Sequence, residues 1–332
     1  MLRYIVHRLL LMIPTLLAIS ILTFVIIQLP PGNYLDTLIS ELRAAGESAD
    51  LQKVEFLRKQ YGLDQSVWMQ YGIWLNGLLH GDLGYSFEYD RPVTAIIGER
   101  LALTFVVSFG AILFTWLVAF PIGVYSATHQ YSWGEHGLTF LGFLGLATPN
   151  FLLALVLMFV SFTYFGVSVG GLFSPDLAEA PWGWAKVVDL LEHLWIPVVV
   201  IGTAGTAGMI RRLRANLLDE LKKQYVVTAR AKGVPPGRLL VKYPLRIALN
   251  PFISDIGNLL PEVVSGSVIV SIVLSLPTTG PMLLRALRTQ DMYLAGSFLM
   301  LLALLTVVGV FLSDLALAVL DPRIRQGAER SR

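Results

Sequence analysis

The chain has 332 residues, of which 55% are hydrophobic and only 14% are charged, and its formal net charge at pH 7 is +2. Soluble chains carry about 25% charged residues, so this composition excludes an ordinary water-soluble fold. The absence of cysteine excludes disulfides, a thiolate nucleophile and cysteine-based zinc or iron–sulfur sites.

Apolar runs with few charges recur along the chain. A transmembrane helix needs roughly 20 mostly apolar residues, because backbone groups in lipid must be paired within the segment. The runs that qualify are 9–29, 101–127, 138–167, 194–210, 251–275 and 292–320. The third run contains Pro149, where we expect a kink. The predicted fold class is therefore all-α, a polytopic membrane protein with six transmembrane helices.

The first run follows Arg3 and Arg8, as the apolar part of a signal peptide would. It is longer than the usual stretch of about 7 to 15 residues, and no small-x-small cleavage site precedes Pro30 and Pro31. Residues 1–29 are therefore predicted to form an uncleaved N-terminal transmembrane helix.

Residues 30–100 separate the first run from the second. Amphipathic patterns at 51–61 and 67–79 are typical of short helices, so we expect a small extracytoplasmic helical segment here. A second outer loop, near residues 170–192, contains Trp182 and Trp184, which are typical of a membrane interface.

Lys and Arg concentrate on the cytoplasmic side of membrane proteins. Residues 211–250 contain ten of them and only two acidic residues, so this loop is predicted to be cytoplasmic. Six spans then place both termini in the cytoplasm, in agreement with the arginines at both ends of the chain. Residues 101–320 form the predicted membrane core that contains this loop, and 321–332 form a cytoplasmic tail.

The basic loop also has a helical pattern. Leu217, Leu221 and Tyr225 recur at four-residue spacing, and the pattern ends at Gly233 before two prolines. A second short helix is predicted at 238–243. Two short amphipathic helices joined by a Gly-Pro turn would fit a groove on a partner protein. The alternative is a basic surface held against anionic lipid.

Carboxylates inside the predicted spans are candidates for function. Asp255 and Glu262 are two helical turns apart and share one face of the fifth run. Ionisable groups at membrane depth usually face a cavity, so both are candidates for lining a path through the bilayer. Alternatively, Asp255 caps the helix at the cytoplasmic surface and Glu262 bonds a neighbouring helix. Asp314 is predicted to be interfacial.

Catalytic patterns do not occur in the sequence. There is no Gly-x-x-x-x-Gly-Lys-Ser/Thr motif to bind nucleotide phosphates, and the five histidines have no metal-ligand spacing. Gly202, Gly205 and Gly208 lie in an apolar run and follow no strand, so we interpret them as small residues for close helix packing. No enzymatic activity is predicted.

The basic loop contains a recognisable signature. Residues 225–233 read Tyr-Val-Val-Thr-Ala-Arg-Ala-Lys-Gly, and 238–246 read Arg-Leu-Leu-Val-Lys-Tyr-Pro-Leu-Arg. Further motifs follow in the same order as in one family: Tyr61-Gly-Leu-Asp64, Gly81-Asp-Leu-Gly84, Leu101-Ala-Leu-Thr104, Asn250-Pro251 and Asp321-Pro-Arg-Ile-Arg325. Over essentially its whole length the chain resembles the permeases of ABC importers, most closely the first permease of the dipeptide/oligopeptide branch.

This resemblance implies a subunit of the bacterial inner membrane that forms half of a translocation channel. Its expected partners are a homologous second permease, two cytoplasmic ATPase subunits, an extracytoplasmic substrate-binding protein and membrane lipid, with no nucleic acid. ATP and Mg would be used by the ATPases, and this chain would bind no cofactor itself.

The resemblance also assigns the basic loop as the coupling helix that sits on an ATPase. The residues carried over are Tyr225, Thr228, Ala229, Arg230, Ala231, Lys232 and Gly233. Ala229 and Gly233 occupy small positions that would permit close packing, whereas the acidic opening usual in the family is replaced by residues 225–228. Glu262 and Asp255 would be the candidates for the translocation path.

Peptides or similar solutes are the expected substrates. Residues 32–34 and 277–281 depart from the turns common in peptide permeases, so oligosaccharides or other small solutes stay open. An ATP-independent secondary transporter is a rival, but its two halves should show paired repeats with discontinuous helices. A membrane-embedded enzyme is a second rival, and it should present convergent catalytic groups.

Overall fold

The computed structural model of the chain describes residues 2–29, 39–40, 43–44, 46, 48–60, 62–166, 170–254 and 267–320. In chain order the elements are α1 Leu2–Gln28, α2 Ser48–Gln60, α3 Val67–Leu79, β1 Tyr85–Ser86, β2 Arg91–Pro92, α4 Val93–Thr128, α5 Trp133–Ala147, α6 Asn150–Phe165, α7 Pro175–Ala178, α8 Trp184–Leu221, α9 Gln224–Ala231, α10 Pro236–Lys242, α11 Pro244–Ala248, α12 Asn250–Ser254, α13 Val268–Val273, α14 Thr279–Arg288 and α15 Met292–Leu320. β1 and β2 form a short antiparallel pair.

Four helices of the described residues are long and apolar enough to cross a membrane, namely α1, α4, α8 and α15. They correspond to the first, second, fourth and sixth predicted runs, and they confirm the all-α, polytopic membrane class. α2 and α3 lie where the two short outer helices were predicted.

The third predicted run is broken rather than kinked. α5 and α6 meet at an angle of 98°, and together they would count as a fifth span. Thr148 and Pro149 between them have extended backbones, with ψ of 121° and 131°. Proline disfavours helical geometry at the residue before it and lacks an amide hydrogen for the helix. The predicted position of the distortion is confirmed, and its size is larger than expected.

The fourth predicted run is much longer than the apolar stretch suggested. α8 continues through the arginines at 211, 212 and 214 to Leu221. The first eleven residues of the loop predicted at 211–250 therefore belong to α8, and the helix ends only at Lys222. Residues 255–266 of the fifth predicted run lie outside the described residues, and α12 and α13 cover parts of the run before and after that stretch.

The chain divides into two compact units, and the first comprises residues up to 103 and from 278 onwards. In this unit α1 and α15 pack antiparallel. At one end Gln28 Nε2 lies 3.2 Å from Met292 Sδ, and at the other Arg8 Nη1 lies 2.8 Å from Asp314 Oδ2. The ion pair explains how Asp314 is accommodated near the end of an apolar helix.

In the core of the first unit, residues from the ends of three other helices pack around Trp74 of α3. Phe24 near the end of α1, Val93 at the start of α4, and Tyr293 at the start of α15 are all buried in it. Phe24 and Trp74 have ring centroids 5.8 Å apart. The end of α1 and the starts of α4 and α15 therefore lie on the same side of this unit.

The hairpin formed by β1 and β2 is hydrogen-bonded to the start of α15 in the same unit. Ser86 Oγ donates to Asp291 Oδ2 at 2.5 Å, and Ser297 Oγ donates to the Leu83 carbonyl at 2.7 Å. Gly84 has a φ of 88° and faces the Tyr293 ring so closely that an added Cβ would lie 2.1 Å from it. The motif Gly81-Asp-Leu-Gly84 thus acquires a structural role, because only glycine fits at its last position.

Asp291 in this contact is buried, at 2% exposure. Burial raises the pKa of its carboxyl above the ordinary range, while the hydrogen bonds from Ser86 and from the amides of Leu294 and Glu88 act in the opposite direction. Its Oδ1 accepts the Leu294 amide at 3.2 Å, as an N-terminal cap of α15 does.

The second unit contains residues 104–254 and 267–277 among those described, and α8 is its central helix. α8 approaches α4 closely at Gly202, where an added Cβ would lie 2.9 Å from the Ala111 carbonyl oxygen. Thr115 Oγ1 donates to the Gly202 carbonyl at 2.8 Å. The prediction that this glycine serves helix packing is confirmed.

Candidate functional site

The predicted coupling loop lies at the end of α8 and is anchored to it by an apolar cluster. Leu213 and Leu217 of α8 are fully buried, and Leu245 and Ala248 of α11 pack with them. α11, which follows α9 and α10 in the chain, therefore packs against the last turns of α8. This contact holds the end of the loop that contains α9 and α10 next to α8.

A buried ion pair secures the same end of α8 to α5. Glu135 is 4% exposed, and its Oε1 accepts from Arg214 Nε at 2.6 Å. Ser132 caps α5 by accepting the Glu135 amide at 3.1 Å, and Glu135 accepts the Tyr131 amide with its other carboxylate oxygen. The sequence Ser132-Trp-Gly-Glu135 is a capping-box pattern, which could have identified this helix start in advance.

α9 and α10 pack on each other through a small core of their own. Val226, Ala229 and Leu239 are buried in it, with Tyr225 and Tyr243 packed at its edge. This cluster is separate from the one around Leu213, so the two short helices form a discrete element, which we call the α9–α10 hairpin. The predicted pair of short helices with a Gly-Pro turn is confirmed, but α9 begins after a break at Lys222 and Lys223 and does not continue α8.

The turn between these helices is closed by two backbone hydrogen bonds. The Val234 amide donates to the Ala229 carbonyl at 3.3 Å, and the Gly233 amide donates to the Arg230 carbonyl at 3.0 Å. This is the Schellman arrangement, in which the residue after the cap is left-handed and is usually glycine. Gly233 has a φ of 74°, which explains why glycine occupies it.

Tyr225 links the hairpin to α8, because its hydroxyl donates to a carboxylate oxygen of Glu220. Burial and this neighbouring carboxylate raise the pKa of the Tyr225 hydroxyl above its ordinary value. The hydroxyl therefore stays protonated near neutral pH and keeps its role as the donor.

The predicted coupling residues do not all face outward. Thr228, Arg230, Ala231, Lys232 and Gly233 are exposed. Ala229 is buried against α10, and Tyr225 is half-buried. The small size of Ala229 is therefore explained by packing inside the hairpin, and the exposed small residues that could meet a partner closely are Ala231 and Gly233.

A cavity of about 320 Å³ opens beside the turn of the hairpin. Lys232, Arg238 and Lys242 line it together with Tyr243. Sequence reasoning did not single out Arg238 and Lys242 as site residues. Their spacing of four residues on a helix, which puts both on one face, is the signal that could have found them.

The candidate path residues Asp255 and Glu262 lie outside the described residues. In the described part of the chain, no three His, Asp or Glu side chains converge as a metal site would require.

Comparison with known families settles the class of this protein. The profile described as "Binding-protein-dependent transport system inner membrane component" matches residues 119–326, and that of the corresponding N-terminal component matches residues 1–108. The chain belongs to this family of transport components. It is accordingly a multi-pass permease subunit of the bacterial inner membrane and not an enzyme.

Curated relatives of this permease are similar over nearly their whole length. The chain is 34% identical over 323 residues to the oligopeptide transport system permease protein AppB of Bacillus subtilis, which covers 97% of the chain and 98% of that protein. It is 30% identical over 339 residues to the dipeptide transport system permease protein DppB of Alkalihalophilus pseudofirmus, covering 98% of the chain and all of that protein.

Proposed function

We propose that this permease forms half of the translocation channel of an ATP-driven importer and that the α9–α10 hairpin transmits force from a cytoplasmic ATPase. The observation that carries the proposal is a rigid element at the end of an uninterrupted membrane helix. α8 extends for 38 residues and the hairpin has its own buried core, so a push on the hairpin acts on α8 rather than on a flexible linker.

The coupling surface in this proposal consists of Thr228, Arg230, Ala231, Lys232 and Gly233, with Tyr225 bonded to Glu220 beneath them. The remaining partners are a homologous second permease, a second ATPase subunit and an extracytoplasmic substrate-binding protein. ATP and Mg are bound by the ATPases. Nucleotide-driven closure of the ATPases would then move α8 and reorient the membrane helices around the translocation path.

We further propose six membrane spans with both termini in the cytoplasm. The end of α1 and the starts of α4 and α15 share one side of the first unit. The chain leaves that side in α4 and again in α15, so it crosses the membrane an even number of times between those two starts. α4 and α8 supply two crossings. The α5–α6 pair and residues 251–275 must then both cross, which gives six spans, or both fail to cross, which gives four.

The two topologies differ in the position of the hairpin. With six spans the hairpin and residues 62–92 are on opposite sides of the membrane, and with four spans they are on the same side. Because the chain has no cysteine, single Gln65→Cys and Lys223→Cys variants can be labelled without background. In right-side-out vesicles an impermeant maleimide should label the Gln65→Cys variant directly and the Lys223→Cys variant only after permeabilisation. Labelling of both before permeabilisation would contradict six spans.

Peptides are the proposed substrates, because the relatives AppB and DppB are named for oligopeptide and dipeptide transport. Oligosaccharides and other small solutes are the alternative. We assign Glu262 and Asp255 to the translocation path from their shared helix face in the sequence. The Glu262→Gln variant should reduce uptake without changing the amount of assembled complex, and unchanged uptake of every substrate would remove Glu262 from the path.

The proposed function is tested on the assembled transporter. A tagged permease purified from its own membranes in nanodiscs should carry a nucleotide-binding subunit, and reconstituted vesicles containing the binding protein should accumulate peptide only with ATP. Uptake without ATP would favour a secondary transporter instead. Uptake of oligosaccharide but not peptide would retain the mechanism and correct the substrate.

A further inference from the structure

The cavity beside the α9–α10 hairpin has an unusual concentration of positive charge. Lys232 lies at the end of α9, and Arg238 and Lys242 lie on one face of α10, so all three cations line the same space of about 320 Å³. All three side chains belong to exposed residues. The three cations therefore share one cavity and are not scattered singly over the solvent-exposed surface.

These charges are not compensated within the described chain. The ion pairs there involve other cations, and no acidic side chain of the described residues pairs with Lys232, Arg238 or Lys242. The one aromatic contact is that of Lys242, whose Nζ lies 5.7 Å from the centre of the Tyr243 ring. Three like charges around one cavity repel each other, and an anionic group between them would relieve that repulsion.

The distance from the bilayer favours a protein as the source of this anionic group. α8 leaves its apolar stretch at Arg211 and runs on to Leu221, which adds roughly 16 Å of helix at 1.5 Å per residue. The headgroup layer on each side of the hydrocarbon core is only about 5 to 8 Å thick. α9 begins beyond Leu221, so its start lies past the depth of the headgroup layer and within reach of a soluble partner.

We infer that this pocket, formed by Lys232, Arg238 and Lys242, receives an acidic side chain of the ATPase that docks on the hairpin. The inference rests on the proposed function and adds a specific contact to it. The guanidinium of Arg238 can bind a carboxylate through two parallel hydrogen bonds, and the two lysines add charge on either side. The exposed residues Thr228 and Ala231 of α9 add to the contact with the ATPase, and the pocket fixes the position of the ATPase on the hairpin.

The chain offers a matched control for this assignment. Lys222 and Lys223 are also exposed and are the two residues immediately before α9, but neither lines the cavity. The double variants Arg238→Glu/Lys242→Glu and Lys222→Glu/Lys223→Glu therefore change the charge by the same amount. General electrostatic attraction affects both equally, whereas a specific pocket is sensitive only to the first.

The experiment measures the affinity of the purified ATPase for the full permease complex in nanodiscs at several salt concentrations. We expect the pocket variant to weaken ATPase binding by roughly ten-fold or more and to lose most of its salt dependence, and the control variant to change affinity by less than about three-fold. A Glu→Lys change at the contacting ATPase residue should restore binding to the pocket variant.

Equal weakening by the two double variants would overturn the inference, because it would indicate only a general charge effect. Unchanged ATPase affinity, combined with loss of anionic but not zwitterionic lipid from the nanodisc-purified pocket variant, would also overturn it and would identify a headgroup site. Failure of the unaltered permease complex to bind any ATPase would contradict the proposed function itself and is distinguished by that measurement.

Discussion

Glu135 and Arg214 form an ion pair in which the carboxylate is 4% exposed and the Nη2 to Oε1 distance is 2.5 Å. Breaking a hydrogen bond to a buried charged group costs about 1.5 to 3 kcal/mol. We therefore expect the Glu135→Gln variant to unfold at a lower temperature, as measured by thermal unfolding of the purified permease complex in nanodiscs.

The first unit supplies a control, an ion pair with the same nitrogen–oxygen distance whose side chains are exposed to solvent. Arg91 Nη2 and Glu99 Oε1 are also 2.5 Å apart, but their side chains are 50% and 59% exposed. Exposed pairs contribute less than about 1 kcal/mol, so Glu99→Gln should leave the unfolding temperature nearly unchanged. Equal losses from the two variants would mean that burial does not set the strength of the Glu135 pair.

A second prediction concerns Gly84 in the hairpin of the first unit. Its Gly84→Ala variant would place a methyl group 2.1 Å from the Tyr293 ring at a φ of 88°, so both clash and backbone strain apply. We expect a loss of about 3 kcal/mol, combining overpacking with left-handed strain. Gly81 has a φ of 79° with open space around it, so Gly81→Ala should cost only the strain. A Gly84→Ala variant as stable as Gly81→Ala would contradict the packing.

The sequence predicted the membrane class and the short helices well because both depend on local patterns. Apolar runs with few charges reveal α1, α4 and α15, and the proline after Gly233 reveals the end of the hairpin turn. The length of α8 could not be predicted in this way. Its last three turns are polar on the outside and are held by Leu213 and Leu217 packing on α11, which is a contact between segments more than 25 residues apart in the sequence.

The same limit applies to the site. Resemblance identified residues 225–233, but it could not tell that Ala229 faces inward, because that depends on α10 covering it. The attachment of Ser86 to Asp291 joins residues 205 positions apart, and no local pattern reports such a pair. Long-range contacts of this kind account for what sequence reasoning missed.

A third prediction follows from the buried carboxyl of Asp291. A carboxyl whose pKa is raised in the folded state contributes stability while it is protonated, and that contribution is lost as pH rises through the folded pKa. We expect the Asp291→Asn variant to retain the α15 cap and to lack this loss. Its melting temperature relative to the unaltered permease should therefore increase from acidic to neutral pH. A difference in melting temperature between the two proteins that stays constant across that pH range would show that Asp291 stays ionised on folding.

A fourth prediction tests the antiparallel packing of α1 and α15. Arg8 meets Asp314 at one end and Gln28 meets Met292 at the other. In the cysteine-free chain, the Arg8→Cys/Asp314→Cys and Gln28→Cys/Met292→Cys pairs should each cross-link with a short thiol reagent. The mismatched pair Arg8→Cys/Met292→Cys is the control and should not react. Cross-linking of the mismatched pair alone would indicate parallel helices. The yield is read by gel after cleavage between the two helices.

The turn of the α9–α10 hairpin provides the last prediction. Gly233 has a φ of 74° and closes the Schellman turn, whereas Gly237 in α10 has no positive φ and open space around it. Left-handed geometry costs a residue with a Cβ roughly 1 to 2 kcal/mol, so Gly233→Ala should weaken the turn and Gly237→Ala should not. The measurement is amide hydrogen exchange of Gln224–Ala231, which should accelerate in the Gly233→Ala variant alone. If the proposed coupling is right, the same variant should lower the amount of solute imported per ATP hydrolysed. Equal exchange in both variants would mean that the turn does not hold the hairpin together.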